Sequence, residues 1–137
     1  MNRKEFFSKA FVGGSLLFLA PAVFNACTKA TDVIPATGGN STIDLTSSSF
    51  ASLKTVGGYA YSGNVIIIRS SATNYIALSK ICTHQGCTVG YDSSVKKLVC
   101  PCHGAMYSTS GTVLQGPANN SLTMFTATVT GTTLTIS

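Results

Sequence analysis

The second half of the chain consists of short apolar or alternating runs that are separated by turn residues. The runs cover residues 59–61, 65–69, 75–79, 97–100, 112–114, 122–129 and 133–136. Ser62-Gly63-Asn64 and Thr130-Gly131-Thr132 lie between consecutive runs and have the composition of hairpin turns. No stretch after residue 45 has the apolar spacing of an amphipathic helix. The pattern therefore predicts an all-β fold, either an antiparallel barrel or a sandwich.

Residues 1–26 have the pattern of an export signal. Basic residues near the start precede an uncharged stretch over residues 10–26, which ends in small or apolar residues. The stretch is short for a bilayer span and contains Pro21, so a cleaved signal is favoured over a permanent anchor. Asn2-Arg3-Lys4-Glu5-Phe6-Phe7 resembles a twin-arginine signal with Lys in the second basic position.

Cys27 follows this stretch and is the odd one of five cysteines. It resembles the lipid-attachment cysteine of bacterial lipoproteins, and a free thiol in a signal that is cut elsewhere is the alternative. Residues 27–42 are polar, contain Pro35 and Gly38-Gly39, and are predicted to form a flexible tether. The folded domain is expected over residues 43–137.

The net charge of +5 is not concentrated in one patch. The first nine residues hold three basic residues and Glu5, and the rest of the chain holds six basic and three acidic residues. No basic stripe with interleaved aromatic residues is present, so the sequence does not indicate nucleic-acid binding.

Two short segments hold both histidines and every cysteine except Cys27. They are Cys82-Thr83-His84-Gln85-Gly86-Cys87 and Cys100-Pro101-Cys102-His103-Gly104. Two simple disulfides would leave the histidines unexplained, and a c-type haem would need a cysteine at position 99, which is Val. A structural zinc site of two Cys and two His remains open, although it would not need the two additional cysteines.

These segments resemble the paired ligand loops of the Rieske iron–sulfur family, in its disulfide-containing, respiratory-type branch. The resemblance continues through Gly111, Val113 and Gly116-Pro117-Ala118 to Leu122. It implies one [2Fe–2S] cluster in a small subdomain of two ligand loops. Cys82 and Cys100 would bind one iron, and His84 and His103 would bind the other.

The resemblance also assigns roles to residues around the ligands. Cys87 and Cys102 would form the disulfide that ties the two loops together. Residues implied to tune the cluster are Gly86, Gly104, Ala105, Tyr107 and Pro117. Ala105 stands where high-potential members carry a serine that donates to a bridging sulfide, while Tyr107 keeps a second donor that would reach the sulfur of Cys82.

The function implied is one-electron transfer by an exported, membrane-tethered protein that is not itself an enzyme. Its partner would be a redox protein or a quinol, and the membrane link would be an N-terminal lipid or anchor. The alternative is the Rieske subunit of a quinol-oxidising cytochrome bc-type or other respiratory complex. Gln85 replaces the apolar residue common in quinol-oxidising subunits, and Asn119-Asn120 replaces a further proline. A complete Rieske oxygenase is excluded because the chain has no further histidine for a second iron site.

Overall fold

The computed structural model describes residues 40–137 of the chain. The predicted export signal, Cys27 and most of the predicted tether lie outside the described residues. The described part contains eleven strands and one 3-10 helix, which spans Ser48–Lys54. The strands are β1 Ser41–Asp44, β2 Tyr59–Ser62, β3 Val65–Arg69, β4 Tyr75–Ser79, β5 Gly90–Asp92, β6 Lys97–Val99, β7 Met106–Ser108, β8 Val113–Gln115, β9 Met124–Phe125, β10 Ala127–Thr130 and β11 Thr133–Ile136.

The strands form three antiparallel sheets, as the all-β prediction requires. Their orders are β1-β11-β10, β2-β3-β4-β9 and β5-β6-β7-β8. None of these sheets closes into a barrel within residues 40–137. Both predicted hairpin turns are present: Gly63-Asn64 joins β2 to β3, and Gly131-Thr132 joins β10 to β11. The two glycines have φ of 54° and 60°, the left-handed region that such two-residue turns require.

The sheet that contains β3 is buried on both faces. Ile66, Ile68 and Leu78 belong to one hydrophobic core, and Ile67 and Ala77 belong to another. A strand buried on both sides needs apolar side chains in both directions, which explains the unbroken apolar run along β3. The first core extends to the ligand-loop cysteines, so the site rests on a packed base.

Arg69, at the end of β3, donates hydrogen bonds to two connecting segments. Its guanidinium donates to the carbonyls of Leu53 and Lys54 at 3.2 and 2.6 Å, and to those of Ser71 and Ala72 at 3.2 and 2.8 Å. These bonds join the end of the 3-10 helix to the loop between β3 and β4. Among residues 40–137, no helix is long and apolar enough to cross a membrane.

The third sheet positions the two ligand loops. Residues 82–87 precede β5, and residues 100–104 connect β6 to β7. Because β5 pairs with β6 in antiparallel register, with Gly90 opposite Val99, both loops leave the sheet at the same end. The fold therefore brings together two segments that are separated in the sequence.

Candidate metal centre

The two ligand loops share one backbone design. In each, the N–H of the first cysteine donates to the carbonyl five residues later, at 2.7 Å for Cys82 and 2.8 Å for Cys100. In each, the N–H of the glycine four residues after that cysteine donates back to the cysteine carbonyl at 2.9 Å. These glycines, Gly86 and Gly104, have φ of 76° and 75°, a conformation that side chains with a Cβ rarely adopt. Glycine is therefore required by the turn itself.

A disulfide joins the two loops. Cys87 and Cys102 are bonded, with a Cα–Cα distance of 6.5 Å and a sequence separation of 15 residues. Within residues 40–137 it is the covalent link between the loops, and it fixes their separation around the space that they enclose. The two remaining cysteines of the loops, Cys82 and Cys100, are free thiols.

The free thiols of the two loops are hydrogen-bonded to each other. Cys82 is 2% exposed and Cys100 is 1% exposed. Burial raises the pKa of Cys100, and its hydrogen bond with Cys82 raises the pKa further. Burial also opposes ionisation of Cys82, but hydrogen bonds from Tyr107 and from the His84 N–H outweigh it, so the pKa of Cys82 lies below its usual value. The thiolate, which is the form that binds iron, therefore forms more readily at Cys82 than at Cys100.

The rings of the two histidines, one from each loop, lie next to each other. The ring centroids of His84 and His103 are 4.8 Å apart, and the rings are nearly perpendicular. Nδ1 of His84 is buried and has no hydrogen-bond partner. Burying a nitrogen without a hydrogen-bond partner destabilises a folded protein. We therefore expect the Nδ1 of His84 to bind an atom that is not part of the chain, such as a metal. His103 is exposed.

This donor set fits a mixed-ligand iron–sulfur cluster. Two thiols and two imidazoles are the ligand types of a Rieske centre, in which two His replace two Cys at one of the irons. The sulfurs of Cys87, Cys100 and Cys102 also lie within 4.8 Å of one another. Two of these three are joined in the disulfide, so this second group cannot supply three thiolates to a metal.

Comparisons with known proteins identify the family. The profile described as the Rieske [2Fe-2S] domain matches residues 42–126, which is more than half of the chain. The chain belongs to the Rieske [2Fe–2S] domain family. Its Rieske domain accordingly binds one [2Fe–2S] cluster.

Curated relatives of this Rieske protein are cytochrome b6-f complex iron-sulfur subunits. The one from Prochlorococcus marinus (strain MIT 9215) is 43% identical over 60 residues, which are 44% of this chain and 34% of the relative. The one from Synechococcus elongatus is 42% identical over 66 residues, 48% of this chain and 37% of the relative. The match thus spans about a third of the length of these relatives.

A solved structure with the same fold is the cyanobacterial plasma membrane Rieske protein PetC3 from Synechocystis PCC 6803. It is 31% identical, with a TM-score of 0.55, and the match covers 65% of this chain and 94% of that one. The similarity in structure therefore agrees with the family assignment from the sequence profile.

The hydroxyl group of Tyr107, on β7, bonds to the first Rieske ligand loop. The hydroxyl oxygen lies 3.2 Å from Sγ of Cys82, 3.1 Å from Oγ1 of Thr83, and accepts a bond from the Thr83 N–H at 3.2 Å. Oγ1 of Thr83 donates its only proton to the carbonyl of Asn120 at 2.6 Å. Oγ1 of Thr83 can therefore only accept a hydrogen bond from the Tyr107 hydroxyl. That hydroxyl has one proton and two possible acceptors, Sγ of Cys82 and Oγ1 of Thr83.

Ala105 and Pro117, which were also expected to tune the cluster, differ in burial and in their contacts with the loops. Ala105 is fully buried, and its carbonyl accepts the bond from the Cys100 N–H. Pro117 is exposed and follows Gly116 through a cis peptide bond. The described residues give Pro117 no hydrogen bond to the ligand loops.

Two contacts from the segment around Pro117 were not predicted from the sequence. Gln115 donates through Nε2 to the carbonyl of Gly104 at 3.1 Å, and Asn120 accepts from Thr83. The position of Thr83 between Cys82 and His84 was a usable signal, because a hydroxyl between two predicted ligands is well placed to bond nearby groups. Gln115 and Asn120 gave no such signal, since their contacts depend on the folded loop.

Proposed function

We propose that Cys82 and Cys100 hold one iron of the cluster and that His84 and His103 hold the other. The observation that carries this assignment is the buried, unpartnered Nδ1 of His84, which lies beside the His103 ring and in the same loop as the Cys82 thiol. The disulfide removes the other two cysteines of the loops from competition for metal.

The cluster supplies reversible one-electron chemistry when it is bound. The protein contributes the charge of the ligands: two neutral imidazoles in place of two thiolates remove two negative charges, which favours taking up an electron. The exposed His103 imidazole is the ligand side chain that a partner can approach directly. The buried thiols Cys82 and Cys100 lie on the domain side, within the core that excludes water.

On this basis the protein is an exported, membrane-tethered electron carrier that performs no turnover on its own. Its partner is a redox protein or a quinol. The export pattern over residues 1–26 and Cys27 support this proposal, and so does the plasma-membrane Rieske protein among the similar structures. In this proposal Cys27 carries the lipid and residues 27–42 form the tether.

A second candidate is the Rieske subunit of a quinol-oxidising complex. The b6-f subunits among the relatives favour it, whereas the exposed polar Gln85 in the first ligand loop favours the free carrier. Assay of the membrane fraction from cells with and without the gene separates the two. A free carrier predicts unchanged quinol oxidation without the gene, and a complex subunit predicts its loss.

Two measurements on the purified protein test the proposal itself. Iron and acid-labile sulfide should be present in equal amounts, at two of each per chain; zinc without sulfide would instead indicate a structural zinc module. Mass spectrometry of protein extracted from membranes should find a lipid-modified Cys27 at the N-terminus. An unmodified chain that begins at Met1, or one cut beyond Cys27, would contradict the lipid tether.

A further inference from the structure

The turn end of the β5–β6 hairpin, where Asp92 pairs with Lys97, lies opposite the end from which the ligand loops leave. The segment between the 3-10 helix and β2 packs against this turn, since a Cβ on Gly57 would stand 3.5 Å from Cβ of Ser93. The Gly57 N–H donates to the carbonyl of Arg69 at 2.8 Å. The hairpin turn, this segment and the end of β3 therefore lie together at one end of the domain.

Most basic side chains of the domain are at this end. Residues 40–137 contain five Lys or Arg and two Asp. They are far apart in the sequence, but the fold brings four of the five basic residues to this end: Lys54, Arg69, Lys96 and Lys97. Asp92 is the acidic residue among them, and its carboxylate accepts hydrogen bonds from the N–H and the hydroxyl of Ser94. Four positive charges against one negative charge leave an excess of three.

Two exposed valines accompany these charges. Val56 is 55% exposed between the 3-10 helix and β2, and Val95 is 54% exposed in the hairpin turn. Lys54 and Lys96, which lie close to them in the sequence, are also exposed. Exposed apolar side chains beside cations are typical of surfaces that bind the interface of an anionic bilayer. We call this surface the basic patch, with Lys54, Val56, Arg69, Val95, Lys96 and Lys97 as its members.

We propose that the basic patch binds anionic lipid headgroups of the membrane to which the protein is tethered. An acidic protein would offer charge for the lysines, but the two valines gain more from a lipid surface, whose headgroup region admits apolar side chains. The patch lies opposite the ligand loops, so its contact with lipid leaves the exposed His103 facing the aqueous side. The redox partner then approaches from the aqueous compartment.

The tether of the proposed function, on which this inference rests, keeps the patch close to lipid. Thirteen residues separate Cys27 from Ser41, where β1 begins. At a maximum of about 3.6 Å per residue, they span no more than roughly 50 Å. Tethering raises the local concentration of lipid at the patch, so a contact that is weak for a free protein becomes sufficient.

Tryptophan fluorescence of the full-length protein on vesicles tests the inference, because the chain has no tryptophan of its own. Val95→Trp places the probe in the patch. Leu114→Trp is the matched control, since Leu114 is 52% exposed and its neighbour Gln115 bonds to the second ligand loop. The vesicles consist of phosphatidylcholine, alone or with an equal amount of anionic phosphatidylglycerol. Each composition is prepared with and without brominated acyl chains, which quench tryptophan on contact, and the ratio of the two signals removes quenching by the cluster.

On the anionic vesicles, bromine should quench Val95→Trp and leave Leu114→Trp unquenched. On phosphatidylcholine alone, the quenching at position 95 should be weaker. Adding Lys96→Gln to Val95→Trp should lower the ratio of lipid-bound to free patch about fivefold on the anionic vesicles, the effect of one basic side chain near such a surface. Adding Lys80→Gln instead removes the same charge outside the patch, two residues before the first ligand loop, and should leave the quenching unchanged.

Equal quenching at the two positions on anionic vesicles, or none at either, would overturn the inference; in the second case the patch would be free for an acidic protein. Equal effects of Lys96→Gln and Lys80→Gln would overturn it as well, because contact would then depend on total charge. Failure of the proposed function has a different signature: the protein would not float with phosphatidylcholine vesicles, and Cys27 would carry no lipid. Quenching on anionic vesicles would still report the patch in that case.

Discussion

The hydroxyl group of Tyr107 lies 3.2 Å from the sulfur of Cys82, although the two residues are 25 positions apart. Tyr107 is fully buried on β7, and Cys82 begins the first ligand loop. A proton donated to a ligand sulfur stabilises the more negative, reduced state of the cluster. The same hydroxyl also lies 3.1 Å from Oγ1 of Thr83, so Thr83 competes with the Cys82 sulfur for the Tyr107 proton.

Replacement of Tyr107 by Phe should lower the midpoint potential. One hydrogen bond contributes about 1 kcal/mol between the two redox states, and tenfold per 59 mV converts this into roughly 40 mV. Protein-film voltammetry at one pH measures the shift. Tyr75→Phe is a matched control, because Tyr75 is half-buried on β4, away from the ligand loops, and should leave the potential unchanged. Equal shifts in the two variants would contradict a specific bond to Cys82.

Replacement of Ala105 by Ser should raise the midpoint potential by tens of millivolts. Ala105 is fully buried directly after the second ligand loop, so an added hydroxyl would have to find an acceptor inside the domain. A sulfide of the cluster is the acceptor that the family resemblance implies. Voltammetry of Ala105→Ser against wild type checks this, and identical midpoints would mean that the hydroxyl does not reach the cluster.

The family and the Cys87–Cys102 disulfide could be predicted from the sequence, because the residues that indicate them follow a local spacing. Cys82, His84, Cys100 and His103 fall in two short segments, and the glycines that close each turn sit at the same offset from the first cysteine. Strand β3 could also be predicted from the sequence, since a strand that is buried on both faces has an unbroken run of apolar residues.

Other parts of the fold leave little trace in the sequence. β5 and β7 have only three residues each, too few for a period to be recognised, and β1 begins at Ser41, inside the segment predicted to be a tether. The run over residues 122–129 was predicted as one strand, but it divides at Thr126. There the chain leaves the sheet of β4 and bonds to Ser137 beside β11. Tertiary packing determines where a chain moves from one sheet to another. The periodicity of apolar residues in the sequence does not show such a change.

Removal of the loop disulfide should make the cluster labile. Cys87 and Cys102 join the loops covalently, and loss of a disulfide from a small domain commonly costs about 2–5 kcal/mol. The double variant Cys87→Ser/Cys102→Ser should therefore unfold at a lower temperature and lose its visible absorbance sooner than wild type. The second loop should separate from the first before the β-sheets unfold. Unchanged melting and unchanged cluster retention would show that the link has no structural effect.

Replacement of Arg69 should destabilise the domain without changing the metal site. Its guanidinium donates to four carbonyls, and hydrogen bonds to a charged group contribute about 1.5–3 kcal/mol each in buried settings. Because Arg69 is partly exposed, we expect a total loss of about 1–3 kcal/mol for Arg69→Ala in denaturant unfolding. Lys cannot reproduce the planar set of donors, so Arg69→Lys should recover little of it.

Lys54→Ala is the control for this prediction, since Lys54 is an exposed neighbour whose side chain makes no hydrogen bond among the described contacts. It should unfold like wild type, and the midpoint potential should be the same in all these variants. If Lys54→Ala lowered the free energy of unfolding as much as Arg69→Ala, the cause would be the loss of a surface charge and not the loss of hydrogen bonds to the four carbonyls.

Electron paramagnetic resonance of the reduced protein tests the ligand assignment most directly. Wild type should give the spectrum of a mixed thiolate–imidazole cluster, and His103→Ala should lose it, because one iron would lack a protein ligand. Gln85→Ala, an exposed change in the other loop, should keep the spectrum and controls for disturbance of the loops. His103→Cys, if it assembles a cluster, should shift the potential downward through the added thiolate charge. An unchanged spectrum in His103→Ala would contradict the assignment of Cys82, His84, Cys100 and His103 as the four ligands.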